Sequence, residues 1–151
     1  MKKKLFLALP LVAFVSFFAA PFCQAQDSPA GLWKSIDDKT GKPKALIRIT
    51  ESSGELNGKI EKLFLDEAEE KNPKCDKCSG SNKDQAIVGM TILFGIKKDG
   101  EEYNGGKILD PANGKLYSSK LSVIDHNKKL NVRGYIGVPF MGRTQTWLRE
   151  Q

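Results

Sequence analysis

The chain has 151 residues, of which 40% are hydrophobic and 28% charged, and a formal net charge of +6. That length suits one domain around one core. Three of the excess cations, Lys2, Lys3 and Lys4, sit at the extreme N-terminus, and no dense Lys/Arg block follows, which excludes the concentrated basic surface that nucleic-acid binding needs.

Those three lysines open a targeting pattern. Leu5 to Phe18 is an apolar run broken by Pro10 and Ser16, and Ala25 supplies a small residue before a cut. This predicts a secretory signal peptide over residues 1–25 and a mature domain over 26–151. A retained anchor is the alternative, but the run falls short of the ~20 apolar residues of a span, so no stable membrane span is expected after cleavage. Lipidation at Cys23 would want a small residue where Phe22 stands. The expected location is periplasmic or secreted, and the mature net charge falls to +3, with 21 Lys and Arg against 18 acids.

The remaining chain reads as short strands between turn clusters. The first strand is expected over Gly31–Ile36, followed by a turn from Asp37 to Pro43. The second is Ala45–Glu51, with Ala45, Ile47 and Ile49 on one face. Ser52-Ser53-Gly54 signals a hairpin into a third strand, Glu55–Leu65. Asp66 to Gln85 is polar and unpatterned, a long loop in which Asp66 is placed to cap one or two helical turns through Lys71. The fourth strand is expected over Ile87–Lys97, although its continuous apolar start does not distinguish strand from short buried helix. Glu102–Leu109, Lys115–Ile124, Lys129–Val138 and Arg143–Glu150 complete the set. In the sixth, Tyr117, Ser119, Leu121 and Val123 share a face; in the seventh, Leu130, Val132, Gly134 and Ile136 do.

Eight strands joined mostly by short turns predict an all-β, up-and-down antiparallel barrel, with a long loop or short helix between strands three and four. Closure removes exposed edges. The alternative is a two-sheet sandwich of the same strands. A closed barrel of this size has room for one small ligand.

Several motifs carry a family resemblance: Gly31-Leu32-Trp33, Asn72-Pro73, Gly89-Met90, Gly105-Gly106-Lys107-Ile108-Leu109-Asp110-Pro111, Leu130-Asn131-Val132-Arg133-Gly134-Tyr135 and Gly142-Arg143-Thr144-Gln145-Thr146-Trp147-Leu148-Arg149. In this order they resemble the exported bacterial proteins of domain of unknown function 2147, which have a lipocalin-like barrel. The resemblance implies fold and export, and brings no catalytic set. It also implies a barrel-closing pair. In lipocalins a Gly-x-Trp on the first strand packs at the closed end against an arginine from the last, which places Trp33 and Arg149 in those roles. A guanidinium on an indole face contributes about 0.5–2 kcal/mol.

Residues for catalysis are sparse, and no enzyme activity, cofactor or metal is expected. His126 lies in a polar turn without an oriented partner. Ser118, Ser119 and Ser122 have no base nearby in sequence and read as sheet surface or cavity lining. Cys75-Asp76-Lys77-Cys78 has redox or half-zinc spacing, but no second ligand pair exists. A local disulfide that stiffens the long loop is the expected role, with thiol-disulfide activity the alternative. The polar and aromatic groups Tyr117, Arg133, Tyr135, Arg143, Gln145 and Trp147 form the candidate ligand-binding set. Turned inward, they would place cations and rings in an apolar cavity, which suits a small hydrophobic or amphiphilic molecule such as a fatty acid. Turned outward, they would leave a filled barrel acting as a structural or interaction module of the envelope. The apolar loop Gly137–Gly142 is expected to plug one barrel end or line its mouth.

Overall fold

The computed structural model describes residues 27–151; the leader expected over residues 1–25 and its cleavage site lie outside the described residues. Eight strands follow in order: β1 Gly31–Ile36, β2 Pro43–Ser52, β3 Glu55–Leu63, β4 Thr91–Asp99, β5 Glu102–Asp110, β6 Lys115–Ile124, β7 Lys129–Tyr135 and β8 Gly142–Glu150. Each pairs antiparallel with its chain neighbour, and β8 returns to β1, so the sheet is a closed barrel and not a sandwich. The seam pairs Leu32 with Glu150, Trp33 with Arg149 and Lys34 with Leu148. Among the described residues, closure leaves the barrel no open edge to template aggregation.

Period-two alternation decides what lies inside. Ala45, Ile47 and Ile49 are buried on β2, while Arg48 between them and Thr50 after them are exposed. Leu121, Leu130, Val132 and Trp147 continue the inner wall through β6, β7 and β8. The two indoles fill the half of the barrel where β1 begins and β8 ends, together with Ile49, Leu56 and Ile96. Burying one such aromatic or aliphatic side chain stabilises the fold by about 1.5–3 kcal/mol.

The barrel bends at irregularities between β4 and its neighbours. Gly95 (φ +61°) and Gly105 (φ +77°) adopt left-handed backbone, and the register shifts between Tyr103 and Gly106. The bend brings β4 so close to Gly106 that a Cβ there would overlap Ile96 Cγ1 and the Phe94 carbonyl, and would lie 2.8 Å from the Ile96 nitrogen.

The segment from Phe64 to Met90 departs from expectation in two ways. No helix forms after Asp66. A single exposed turn closes through the Glu69 amide on the Asp66 carbonyl and the Asp66 amide on Glu69 Oε2; the one short helix here is a 3₁₀ turn at Gly80–Asn82. β4 also starts at Thr91 and not at Ile87, because the Ile87 amide is taken by the Pro73 carbonyl and Gly89 turns the chain at φ +91°. Between these points Lys74 bridges Ala86. Cys75 and Cys78 form a disulfide and are both buried in the main core cluster. The Cys75 sulfur approaches the Pro111 carbonyl oxygen at 3.4 Å, and Lys77 Nζ donates to the Ala112 carbonyl at 3.2 Å. The disulfide segment is thereby docked on the β5–β6 turn.

Two outcomes follow from this packing. Gly106→Ala is expected to destabilise the barrel by about 1–3 kcal/mol in urea denaturation, since backbone of β4 must move. Replacing both Cys75 and Cys78 by Ser is expected to cost about 2 kcal/mol or less, the loop-entropy value for a short ring, and to raise hydrogen exchange at Cys75–Gln85 while leaving β6–β8 protected.

Candidate functional site

The two ends of the barrel are built differently. At the end where β1 begins, the Asp27–Ala30 segment runs up to the barrel wall and Pro29 is buried. Trp33 is fully buried and its Nε1 donates to the Pro29 carbonyl at 2.7 Å. The Arg149 guanidinium lies over the Trp33 ring, 4.1 Å from its centroid. Its Nε donates to the Asn127 carbonyl at 2.6 Å, its Nη1 to the Ala30 carbonyl at 3.0 Å, and its Nη2 to the Ser28 carbonyl at 2.7 Å and to Asn127 Oδ1. One rigid fork thus ties together the last strand, the approach to β1 and the β6–β7 turn. Burial lowers the Arg149 pKa, and Asp27 partly opposes the shift; arginine stays charged regardless. Gly31 is required here: at φ +137° it leaves the room that Arg149 Nη1 occupies. With its donors spent on the oxygens of Ser28, Ala30 and Asn127, Arg149 seals this end on the side of the seam, and a cavity remains beside it toward β2, β3 and β5.

The opposite end is bounded by the β1–β2 loop, the Phe64–Met90 segment, the β5–β6 turn and the β7–β8 loop. Its inner wall on β6, β7 and β8 carries smaller and more polar groups. Ser119 pairs with Gly134, Gly134 with Arg143, and Val132 with Gln145. Arg143 Nη2 is ion-paired with Asp38 across the mouth, and Gln145 Nε2 reaches the same carboxylate at 3.5 Å. Asp38 is held out by its neighbour. Asp37 Oδ1 accepts from the amides of Lys39 at 3.0 Å and Thr40 at 2.8 Å, which fixes the turn. The same Thr40 contacts, the amide first, hold the Asp37 carboxyl below the usual carboxylate range. Tyr117 Oη accepts from Asn113 Nδ2 at 3.1 Å.

Ser119 is the exceptional group. It is fully buried, it lies on the inner face with Leu121, and its Oγ has no hydrogen-bond partner in the protein. Leaving a buried hydroxyl unpaired costs about 1–3 kcal/mol.

The six groups of the candidate set therefore divide. Tyr117, Arg143, Gln145 and Trp147 share the interior-facing side of β6 and β8. Arg133 and Tyr135 have the opposite parity on β7 and face outward. Arg133 donates to the Pro139 carbonyl at 2.6 Å, to Thr144 Oγ1 at 2.7 Å and to the Phe140 carbonyl at 3.2 Å. Trp147 is deep in the packed half, so it forms floor and not mouth. The β7–β8 loop does not plug the barrel: Arg133 grips its carbonyls and Phe140 is 80% exposed. Asp38 and Asn127 carry no mark of these roles in the sequence, since they lie in turns whose long-range partners leave no local signal. Alternation on the sixth strand sets Ser119 with Tyr117, Leu121 and Val123, and the structure buries Ser119 while Ser118 and Ser122 are only partly buried.

Two cavities lie elsewhere. One of about 240 Å³ is lined by Ser28, Glu51, Gly54, Leu56, Lys98 and Tyr103 near the sealed end. Burial raises the Tyr103 pKa there, with Glu51 and Asp27 adding to the shift. The other, about 490 Å³ and open to solvent, lies between the Asn82–Met90 stretch and β4. Neither includes Arg143, Gln145 or Tyr117. Among the described residues, no three His, Cys, Asp or Glu side chains converge as a metal site.

Residues 31–149 match the model of a family described as "Uncharacterized protein conserved in bacteria (DUF2147)". A solved structure, protein HP1028 from the human pathogen Helicobacter pylori, described as belonging to the lipocalin family, is similar with a TM-score of 0.68 at 20% identity, over 82% of this chain and 84% of that one. At that identity the likeness shows the fold alone. No curated protein matches the chain. The chain belongs to the DUF2147 family and has a lipocalin-like barrel.

Arg149→Ala strips the partner from three backbone carbonyls and exposes the Trp33 face, so a loss of about 2–4 kcal/mol is expected in chemical denaturation. Arg149→Lys is expected to recover less than half of it, since an ammonium cannot reproduce the planar fork. Equal stability of Arg149→Lys and wild type would show that the fork geometry is dispensable.

Proposed function

We propose that this DUF2147 barrel is an exported bacterial protein, mature over residues 26–151 and periplasmic or secreted, that takes a small amphiphile into its open half. The sealed half is packed with Trp33 and Trp147, so the ligand sits shallow. Its apolar part lies against Ile60, Leu63 and Ile108, and its polar head against Tyr117, Gln145 and Arg143. Affinity comes from apolar burial, with a few polar groups setting orientation. The observation that carries this reading is the unpaired Ser119 hydroxyl, buried on the inner wall. A polar atom of a bound molecule, reaching this hydroxyl once the side chains packed over it move aside, would satisfy it, as a buried water would. An anionic head group would replace Asp38 on the Arg143 guanidinium, a charge-assisted contact of the kind arginine favours.

A second reading, a filled barrel acting as a structural or interaction module of the envelope, is favoured by the packing of the inner wall: Ser119 is fully buried, and neither cavity is lined by Ser119, Tyr117, Gln145 or Arg143.

Solvent extraction of the purified protein followed by mass spectrometry is expected to release an amphiphile, and a fluorescent fatty acid is expected to bind saturably. Absence of both would leave the filled-barrel reading. Ser119→Ala should stabilise the ligand-free protein by about 1 kcal/mol, by removing an unpaired hydroxyl, and weaken binding severalfold. Asp38→Asn should tighten binding of a carboxylate-headed probe about threefold, because the exposed pair it breaks contributes no more than about 1 kcal/mol. Weaker binding by Asp38→Asn would contradict the placement of the head group at Arg143.

A further inference from the structure

The β7–β8 hairpin presents an apolar tip that the fold does not use. Phe140 is 80% exposed, Met141 70% and Ile136 66%, with Leu116 on the neighbouring strand at 56%. Ile136 to Gly142 contains no charged residue, and no carboxylate occurs between Asp125 and Glu150. The tip is held out by construction. Arg133 donates to the carbonyls of both Pro139 and Phe140, which pins the backbone of the 3₁₀ turn Pro139–Met141. The apolar side chains of this turn are thereby presented to solvent.

Behind the tip, the register sets out an amphipathic row on the outer surface. Lys107 pairs with Ser118, Ser118 with Tyr135 and Tyr135 with Gly142. Lys107 Nζ donates to Ser118 Oγ at 3.0 Å, a neutral partner, and Arg133 likewise bonds only neutral oxygens. Two cations without carboxylate partners stand behind an apolar tip, with a tyrosine beside them. This layering matches a bilayer interface: apolar side chains among acyl chains, tyrosine at head-group depth, and cations toward anionic phosphates. A protein partner of ordinary surface would be expected to meet Lys107 and Arg133 with carboxylates, but would not account for the graded order from apolar to aromatic to cationic.

We infer that the β7–β8 hairpin is a membrane-contact device, whose Ile136–Met141 tip inserts shallowly into an anionic lipid surface with Tyr135, Arg133 and Lys107 at head-group level. The inference does not rest on an internal ligand. It turns the β7–β8 side of the open rim toward the lipid surface, and leaves the exposed acids Asp66, Glu67, Glu69 and Glu70 of the Phe64–Met90 border facing away.

The test is co-sedimentation of the mature protein, residues 26–151, which contains every strand of the closed barrel, with phosphatidylglycerol or phosphatidylcholine vesicles. Wild type is expected to pellet with phosphatidylglycerol and about tenfold less with phosphatidylcholine, and added salt should reduce the bound fraction. The Phe140→Ser/Met141→Ser variant, altered only at exposed positions, should keep its melting temperature and lose about tenfold in vesicle binding. Lys107→Gln should weaken binding to the anionic vesicles alone. Wild type remaining in the supernatant, or a double variant that pellets as well as wild type, would overturn the inference. So would sedimentation velocity showing that the tip is covered in a dimer that the double variant abolishes. Fatty-acid binding by the double variant reports on the interior separately: retained binding with lost vesicle attachment isolates the tip, and the reverse isolates the barrel site.

Discussion

The structure depends on one seam. Trp33 pairs with Arg149 where the first and last strands meet, and the same two side chains stack at the sealed end. A barrel has to join elements separated by the whole chain, and the loop-closure entropy must be met by contacts at the join. Here the backbone ladder and a guanidinium with several oxygen partners coincide. The arginine is bonded on both sides of the seam, to the approach to β1 and to the β6–β7 turn, so opening the seam would strand several polar groups at once.

That seam also gives the barrel its polarity. One end uses Arg149 and both indoles for closure, and the cavity beside them, lined in part by Glu51, Lys98 and Tyr103, is small. The other end has a narrow strip of small and polar groups, Ser119, Gly134, Gln145 and Arg143, rimmed by turns. The disulfide segment is attached to this rim through Pro111 and Ala112, so the cysteines reinforce the mouth's border. Both functional readings, the internal amphiphile and the lipid-facing hairpin, concern this one end.

Much of the fold was legible because alternation leaves a local record. β2, β6 and β7 each set apolar residues on one parity and polar ones on the other, and their spans were recognisable to within two or three residues. β4 was less so. Its apolar start from Ile87 has no period, and the real boundary is set by a hydrogen bond to Pro73 from across the loop. The polar set divided for a related reason. On β7, Leu130 and Val132 already fix the inward parity, which sends Arg133 and Tyr135 outside; on β8, only Trp147 marks the inward face that Arg143 and Gln145 share. Asp38 was illegible, because a turn aspartate carries no mark of a partner 105 residues away.

The central claim is that the inner wall around Ser119 accepts a molecule. Backbone amide NMR during titration with a medium-chain fatty acid tests it most directly. Saturable shifts are expected at Tyr117, Ser119, Gly134 and Gln145, with the amides of Trp33 and Arg149 at the seam little changed. Shifts confined to the β7–β8 tip, or no shift on the inner wall at saturating ligand, would contradict it.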